Sequence, residues 1–333
     1  MRISGAELRE KNRLRLEDVV PLDTPLLMYL EPTNACNIRC KFCPTSDNKL
    51  LKEVGRPMGL MSWELFEKIV DDLKLFPKKL KMINFFKDGE PLVHKKYPEM
   101  IKYLKEANVA EKIWTKTNGL LLNPDLNKKL VKSGLDMIGI SVIAPNSNGY
   151  KDIAAVSANY EKLKENVKDL YLNKENLKIS VKMTNISFSK EEIDKFYSDF
   201  ENICDFITVD NPHGWSRVDL KDWTLGIKSE TYDGVPNREK IVCPWTLYQL
   251  TINWNGTCQP CNEDWSWVNI IGNAAENSLL EIWNGETLRD FRIMQLEGRR
   301  NESKACATCV QMQSQVDDVD AYRYEIRSKL LSK

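Results

Sequence analysis

The sequence predicts an α/β protein in which a run of β-α units builds a barrel or part of one, followed by a smaller, cysteine-rich region. Three observations lead there. Between residues 26 and 210 short apolar runs alternate with amphipathic stretches, the pattern of strands and crossover helices on a parallel sheet. After residue 210 that alternation stops. The nine cysteines crowd toward the ends of the chain: Cys36, Cys40 and Cys43 together, Cys204 alone, and Cys243, Cys258, Cys261, Cys306 and Cys309 in the last third.

Six strands are expected, at residues 26–30, 82–86, 113–116, 137–142, 177–183 and 205–209. A helix is expected over 62–75, where Leu65, Phe66, Ile69, Val70 and Leu73 share one face behind a Ser62 N-cap. Another covers 159–173, with Tyr160, Leu163, Val167 and Leu170 on its stripe. Active sites on such sheets sit at the C-terminal ends of the strands, and the first cysteine group follows strand one at that end. Residues 211–240 carry Pro, Gly and Trp without a period and read as a linker or substrate-facing loop. Residues 247–254, the Asn255-Gly256 pair and residues 257–260 read as a β-hairpin, because Asn-Gly suits the tight turn that joins twisted strands. Helices near 278–283, 286–296 and 317–331 complete the chain. The expected organisation is an N-terminal extension (1–25), the barrel (26–210), a linker or substrate loop (211–242), a cysteine-rich domain (243–315) and a C-terminal helix (316–333).

A chain of 333 residues with 42% hydrophobic and 9% aromatic residues is long enough for about two domains, or one large domain with an appendage. Its 48 basic residues balance 48 acidic ones, so no net field attracts a polyanion and no nucleic-acid partner is expected. No apolar run approaches the roughly 18 residues of a membrane span. The N-terminus is too charged for a signal-peptide core, so a cytoplasmic protein without a membrane partner is expected. In that reducing setting the cysteines serve metal more readily than disulfides.

Cys36-x3-Cys40-x2-Cys43 offers three thiolates on one loop, enough for three corners of an iron–sulfur cube with one iron left open. An open metal position is the mark of a catalytic site. Cys243, Cys261, Cys306 and Cys309 offer four, enough to close a second cube and suit it to electron transfer. Cys258 lies three residues before Cys261, so on a regular strand the two point to opposite faces; Cys261 is the expected ligand. The alternative is a zinc ribbon of Cys258, Cys261, Cys306 and Cys309, whose inter-pair gap far exceeds the usual loop.

At these residues the chain resembles the radical S-adenosylmethionine (SAM) superfamily, whose CxxxCxΦC signature is met by Cys36, Cys40, Phe42 and Cys43. The resemblance implies a partial (β/α)6, TIM-like barrel. It also implies a 4Fe–4S cluster that binds SAM at its open iron and cleaves it, on one-electron reduction, to a 5′-deoxyadenosyl radical that takes hydrogen from substrate. Phe42 would lie near the adenine. The family's GGEP segment, whose backbone meets the SAM amino group, reads here Asp88-Gly89-Glu90-Pro91. Asn118 in Thr117-Asn118-Gly119, Ser141 on strand four and Lys182 on strand five match further SAM-contacting positions.

The C-terminal region resembles the SPASM/Twitch branch in its form with one auxiliary 4Fe–4S cluster. The matching residues are Cys243, the Gly256-x4-Cys261 hairpin, Gly272-Asn273, the SLLEIW segment at 278–283 and Cys306-x2-Cys309. The acidic pair Glu263-Asp264 resembles the radical dehydrogenases of scyllo-inosamine in aminoglycoside biosynthesis. What this implies is a dehydrogenase of a secondary alcohol on a sugar or cyclitol, with the auxiliary cluster as electron acceptor and a flavodoxin or ferredoxin as reductant. Arg217 is the candidate base or anchor. An epimerase would instead use Cys258 or Cys204 as hydrogen donor. Peptide modification is a third reading, set back by the mere 25 or so residues before strand one, and a non-catalytic metal-binding module a fourth. His94 reads as structural, while Trp215, Trp223, Trp265 and Trp267 suit either a pocket wall or core packing.

Overall fold

The computed structural model describes residues 1–2, 13–232 and 234–332, so residues 3–12 of the expected N-terminal extension lie outside the described residues. Six parallel strands form where the sequence alternates: β1 (Leu27–Leu30), β2 (Leu80–Asn84), β3 (Ala110–Thr117), β4 (Met137–Val142), β5 (Lys178–Thr184) and β6 (Phe206–Asp210). Each pairs with its neighbour in chain order. One face of the sheet is apolar: Met28, Leu30, Ile83, Ile113, Ile138, Ile140, Ile179 and Val181 are all buried. Against them pack Phe66, Ile69 and Val70 of the helix Trp63–Leu73 and Leu163, Val167 and Leu170 of the helix Tyr160–Leu172. Ser62 and Asn159 cap these helices through their side-chain oxygens, as expected for residues that compete with the backbone for its free N–H groups.

The helix-free face is different in kind. Tyr29, Trp114, Lys116, Ser141 and Lys182, at the alternate strand positions, are only partly buried.

Residues 211–240 contain one short ladder, β7 (Thr231–Tyr232) with β8 (Val235–Pro236). The expected hairpin forms as β9 (Gln249–Ile252) and β10 (Thr257–Gln259), with β11 (Gly272–Asn273) beyond it. The hairpin of the C-terminal region is continuous with the barrel sheet: β9 pairs parallel to β1, giving one nine-stranded sheet in the order β11-β10-β9-β1-β2-β3-β4-β5-β6. Pairing removes the open edge that β1 would otherwise present. The C-terminal helix also starts later than expected, at Arg323. Asp320, preceding it, accepts from the backbone N–H of Ile241 (2.8 Å) and Val242 (2.9 Å), which commits that turn to holding the 241–242 segment. Among the described residues no helix is long and apolar enough to cross a membrane.

Cys258 on β10 is fully buried in the main core, where its thiol donates to the Gly256 carbonyl (3.3 Å). Cys204 is likewise buried at the foot of β6. A Cys258→Ala variant should therefore lose about 1–3 kcal/mol in denaturant unfolding of the iron-free protein, and keep its full iron on reconstitution. Iron loss on that substitution would contradict the packing role.

Candidate functional site

The loop after β1 carries the first three cysteines, and local hydrogen bonds fix its path. Thr33 donates through Oγ1 to the Gly59 carbonyl (2.7 Å) and Asn34 through Nδ2 to the Pro57 carbonyl (2.8 Å). Further along, the N–H groups of Arg39 and Lys41 donate to Ala154 and Ile153 at the end of the helix Ser147–Ala154 (2.8 and 2.9 Å). Burial pushes the Cys36 thiol up to about 11 and raises Cys40 and Cys43 as well. The thiols also raise one another, Cys40 through both Cys43 and Cys36, because three sulfurs face one space. Buried thiols that resist ionisation in each other's company suit a bound cationic cluster, which takes the protons' place.

Gly89 is where the chain after β2 meets this loop. A Cβ there would stand 2.4 Å from the Thr33 carbonyl oxygen and 2.6 Å from that of Ala35, so only glycine fits. Glu90 donates its N–H to Ala35 (2.9 Å). Its carboxylate accepts from Leu92 N (3.0 Å), Thr117 Oγ1 (2.7 Å) and Asn118 N (2.7 Å), while burial pushes the carboxyl up to about 7. Asn118 in turn donates through Nδ2 to Asn37 Oδ1 (2.8 Å), beside Cys36. The ends of β1, β2 and β3 are thus one hydrogen-bonded unit.

The Asp88 side chain is committed to an ion cluster. It is buried between Arg56 (2.8 Å) and Lys87 (2.9 Å). Burial pushes its carboxyl up, but these two cations outweigh burial and hold it below the usual carboxylate range. Glu31, also fully buried, accepts from Arg56 (3.5 Å), Asp88 N (3.3 Å) and Trp254 N (3.4 Å). Lys87 reaches on to Asn253 Oδ1 (3.1 Å) and Gln259 Oε1 (3.3 Å) on the hairpin, and Arg56 to the Trp265 carbonyl (2.8 Å). Sequence reading missed this four-residue ion cluster, since Glu31, Arg56 and Lys87 look like solvated charges and no spacing links them.

The remaining expected residues are placed as follows. Phe42 packs against the core, and its carbonyl accepts from Trp215 Nε1 (3.1 Å). Ser141 and Lys182 sit side by side in register on β4 and β5, and Lys182 pairs with Asp210 (2.7 Å) over the Tyr232 ring. Arg217 has a left-handed backbone (φ 60°) and reaches Asp219 (3.4 Å). His94 contacts the Met61 carbonyl (3.0 Å) beneath the loop. Trp223 and Trp265 are fully buried and pack edge to face, so they are core; Trp267 lies over the Arg56 guanidinium, 5.2 Å from the ring centre.

Cys243, Cys261, Cys306 and Cys309 line one cavity, together with Glu263, Asp264, Asn269 and Arg300. Cys258 does not line it, so the four cysteines of the zinc-ribbon alternative are not gathered. Burial pushes Cys243 up to about 12 and raises the other three, with Cys306 adding to the rise at Cys243 and both Cys243 and Cys309 to that at Cys261. Among the described residues no three His, Cys, Asp or Glu side chains converge tightly enough for a single ion, and a four-iron cube, with one iron behind each thiolate, needs its sulfurs farther apart. Donors already point at the sulfurs: Glu263 N to Cys261 (3.3 Å) and Gln295 Nε2 to Cys306 (3.4 Å). Asp264 accepts from Asn269 N (2.7 Å), and Asn269 Oδ1 accepts from Ser303 Oγ (2.7 Å), which caps the turn bearing Cys306. The sites are joined, since Trp215 bonds the Phe42 carbonyl and the next residue, Ser216, donates to the Glu263 carbonyl (2.7 Å).

Asp88→Gly would restore the two-glycine form of the GGEP segment, yet it strands two buried cations. It should destabilise the protein by about 3–5 kcal/mol, read as a lower unfolding midpoint, whereas an unchanged midpoint would show that the ion cluster contributes nothing.

Residues 30–200 match the Radical SAM superfamily, and residues 243–310 match an iron–sulfur cluster-binding domain, SPASM. A tungsten-containing aldehyde ferredoxin oxidoreductase cofactor-modifying protein of Pyrococcus furiosus is 26% identical over 306 residues, covering 80% of this chain and 83% of that one. An S-adenosyl-L-methionine-dependent 2-deoxy-scyllo-inosamine dehydrogenase of Niallia circulans is 30% identical over 110 residues, 31% of this chain and 43% of that one. The crystal structure of BtrN in complex with AdoMet and 2-DOIA superposes with a TM-score of 0.53 at 18% identity, over 85% of this chain and 92% of that one, a likeness of fold. The chain therefore belongs to the radical SAM superfamily, with the SAM-binding 4Fe–4S cluster of that family and the auxiliary iron–sulfur centre of a SPASM domain.

Proposed function

We propose that this enzyme dehydrogenates a secondary alcohol of a small, hydroxyl-rich substrate such as a sugar or cyclitol. The observation that carries the reading is the juxtaposition just described: a three-thiol loop and a four-thiol cavity tied by the Trp215–Phe42 and Arg56–Trp265 hydrogen bonds. Cys36, Cys40 and Cys43 hold the SAM-binding cluster, and Cys243, Cys261, Cys306 and Cys309 the auxiliary one. When bound, these groups supply hydrogen abstraction from carbon and a one-electron acceptor, the two needs of an alcohol becoming a ketone.

The chain's own residues do the rest. Gly89 lets the 88–90 backbone lie against the cysteine loop, and Phe42, Asn118, Ser141 and Lys182 surround the space at the strand ends that SAM occupies. The partly buried face bearing Tyr29, Trp114, Lys116 and Ser141 offers aromatic and polar contacts of the kind a polyhydroxylated ring takes. Glu263 presents a buried Oε2 with no partner among the described residues, an acceptor suited to a substrate hydroxyl or ammonium. Arg217 stands next to Ser216 of the cavity wall as a secondary anchor. A flavodoxin or ferredoxin is the proposed reductant. A second reading, modification of another enzyme's cofactor, is favoured by the near full-length match to the Pyrococcus protein.

Anaerobic turnover of 2-deoxy-scyllo-inosamine, deuterated at its carbinol carbons, should give one labelled 5′-deoxyadenosine per ketone. Cleavage of SAM without oxidation of this or related cyclitols would shift the assignment to the second reading. In a Cys261→Ala variant auxiliary iron should be lost, with SAM cleavage retained and ketone formation down at least about a hundredfold; undiminished ketone formation would remove the auxiliary centre from the reaction.

A further inference from the structure

Arg300 stands apart from the other charged groups around the four-cysteine cavity. It begins the short turn Arg300–Glu302, and its Nη2 donates to the carbonyl oxygens of both Cys306 and Cys309, the latter at 2.7 Å. It is the one basic side chain among the residues that line the cavity. Its Nε is buried without a partner, and among the described residues no carboxylate lies within ion-pair distance of its guanidinium. The acidic residues on the same wall are differently placed: both Asp264 oxygens are occupied, by Ser266 Oγ (3.2 Å), Val268 N (3.2 Å) and Asn269 N (2.7 Å), and Glu263 Oε1 accepts from Asn262 (2.7 Å). From a second direction Gln295, fully buried on the helix Glu286–Leu296, aims Nε2 at Cys306 Sγ (3.4 Å).

We infer that Arg300, assisted by Gln295, is a positioning residue that raises the reduction potential of the auxiliary cluster, and so makes it an electron acceptor. This rests on the proposed ligation by Cys243, Cys261, Cys306 and Cys309. Reduction adds one electron and no proton, so the cluster gains one unit of negative charge. A fixed cation and an N–H donor on a ligand sulfur both stabilise that extra charge more than they stabilise the oxidised form. Arg300 grips the Cys306 and Cys309 carbonyls, so its charge cannot swing away as the cluster changes state.

The test uses the full chain with Cys36, Cys40 and Cys43 all replaced by Ala, reconstituted anaerobically so that only the auxiliary cluster gives a signal. Its midpoint potential is read by EPR-monitored titration. In this background Arg300→Met should weaken reduction about tenfold or more, which is a shift of about 59 mV to more negative potential for one electron. Arg300→Lys, which keeps the charge, should recover most of that shift, and Gln295→Leu should move the potential in the same direction by less. Full iron with an unmoved potential in Arg300→Met overturns the inference. Should Arg300→Met hold no cluster, an unmoved potential in iron-loaded Arg300→Gln, which removes the charge but keeps an N–H donor, overturns it instead. Absence of any cluster in the triple-cysteine parent would instead overturn the ligation on which it rests.

Discussion

The architecture of the site depends on the parallel pairing of β9 with β1. The register Leu27↔Gln249 to Leu30↔Ile252 sets the hairpin turn beside the end of β1, and from there its polar groups reach the segment after β2. Asn253 and Gln259 receive Lys87, Trp254 N donates to Glu31, and the Trp265 carbonyl receives Arg56. Four charged side chains are thereby removed from water and paired in place, a costly arrangement that persists because the segment after β1, the segment after β2 and the hairpin all supply partners. The loop following β10 then folds over the helix-free face, burying Gln249 and Gln259 through bonds to Asn262 Oδ1 (3.0 Å) and the Asp264 carbonyl (2.9 Å). One strand pairing thus brings both thiol sets into a single unit.

Local signals were legible where local physics decides. The alternation of apolar residues located all six barrel strands to within a few residues, because a buried face forces period two whatever the partner strand. Ser62 and Asn159 marked helix starts because a capping side chain acts within three residues. Cys36, Cys40 and Cys43 declared themselves by spacing on one loop. Cys261 rather than Cys258 faces the cavity, but from the loop just past β10, where the strand alternation used to choose between them no longer applies.

Non-local partners left no comparable trace. Nothing in residues 247–260 says that the hairpin extends the barrel sheet, because parallel pairing is set by contacts with residues more than 200 positions away. Gln249, Thr251, Asn253 and Gln259 are polar, yet all four are fully buried under the loop that carries Cys261. Asp88 read as a departure from the two-glycine segment. Its compensation lies in Arg56 and Lys87, whose charges look ordinary until the fold brings them together. Gln295 and Arg300 were invisible for the same reason, as their targets are a sulfur and two carbonyls rather than a motif.

On the proposed ligation one cluster is open to an external ligand and the other is closed by four thiolates. EPR of the fully reconstituted, reduced protein before and after addition of SAM tests it directly, since a ligand that binds an iron changes only that cluster's spectrum. Two overlapping signals are expected, of which SAM alters the one that disappears with Cys36, Cys40 and Cys43 and leaves the other unchanged. A spectrum indifferent to SAM, or a change in the signal that survives without those three cysteines, would contradict it.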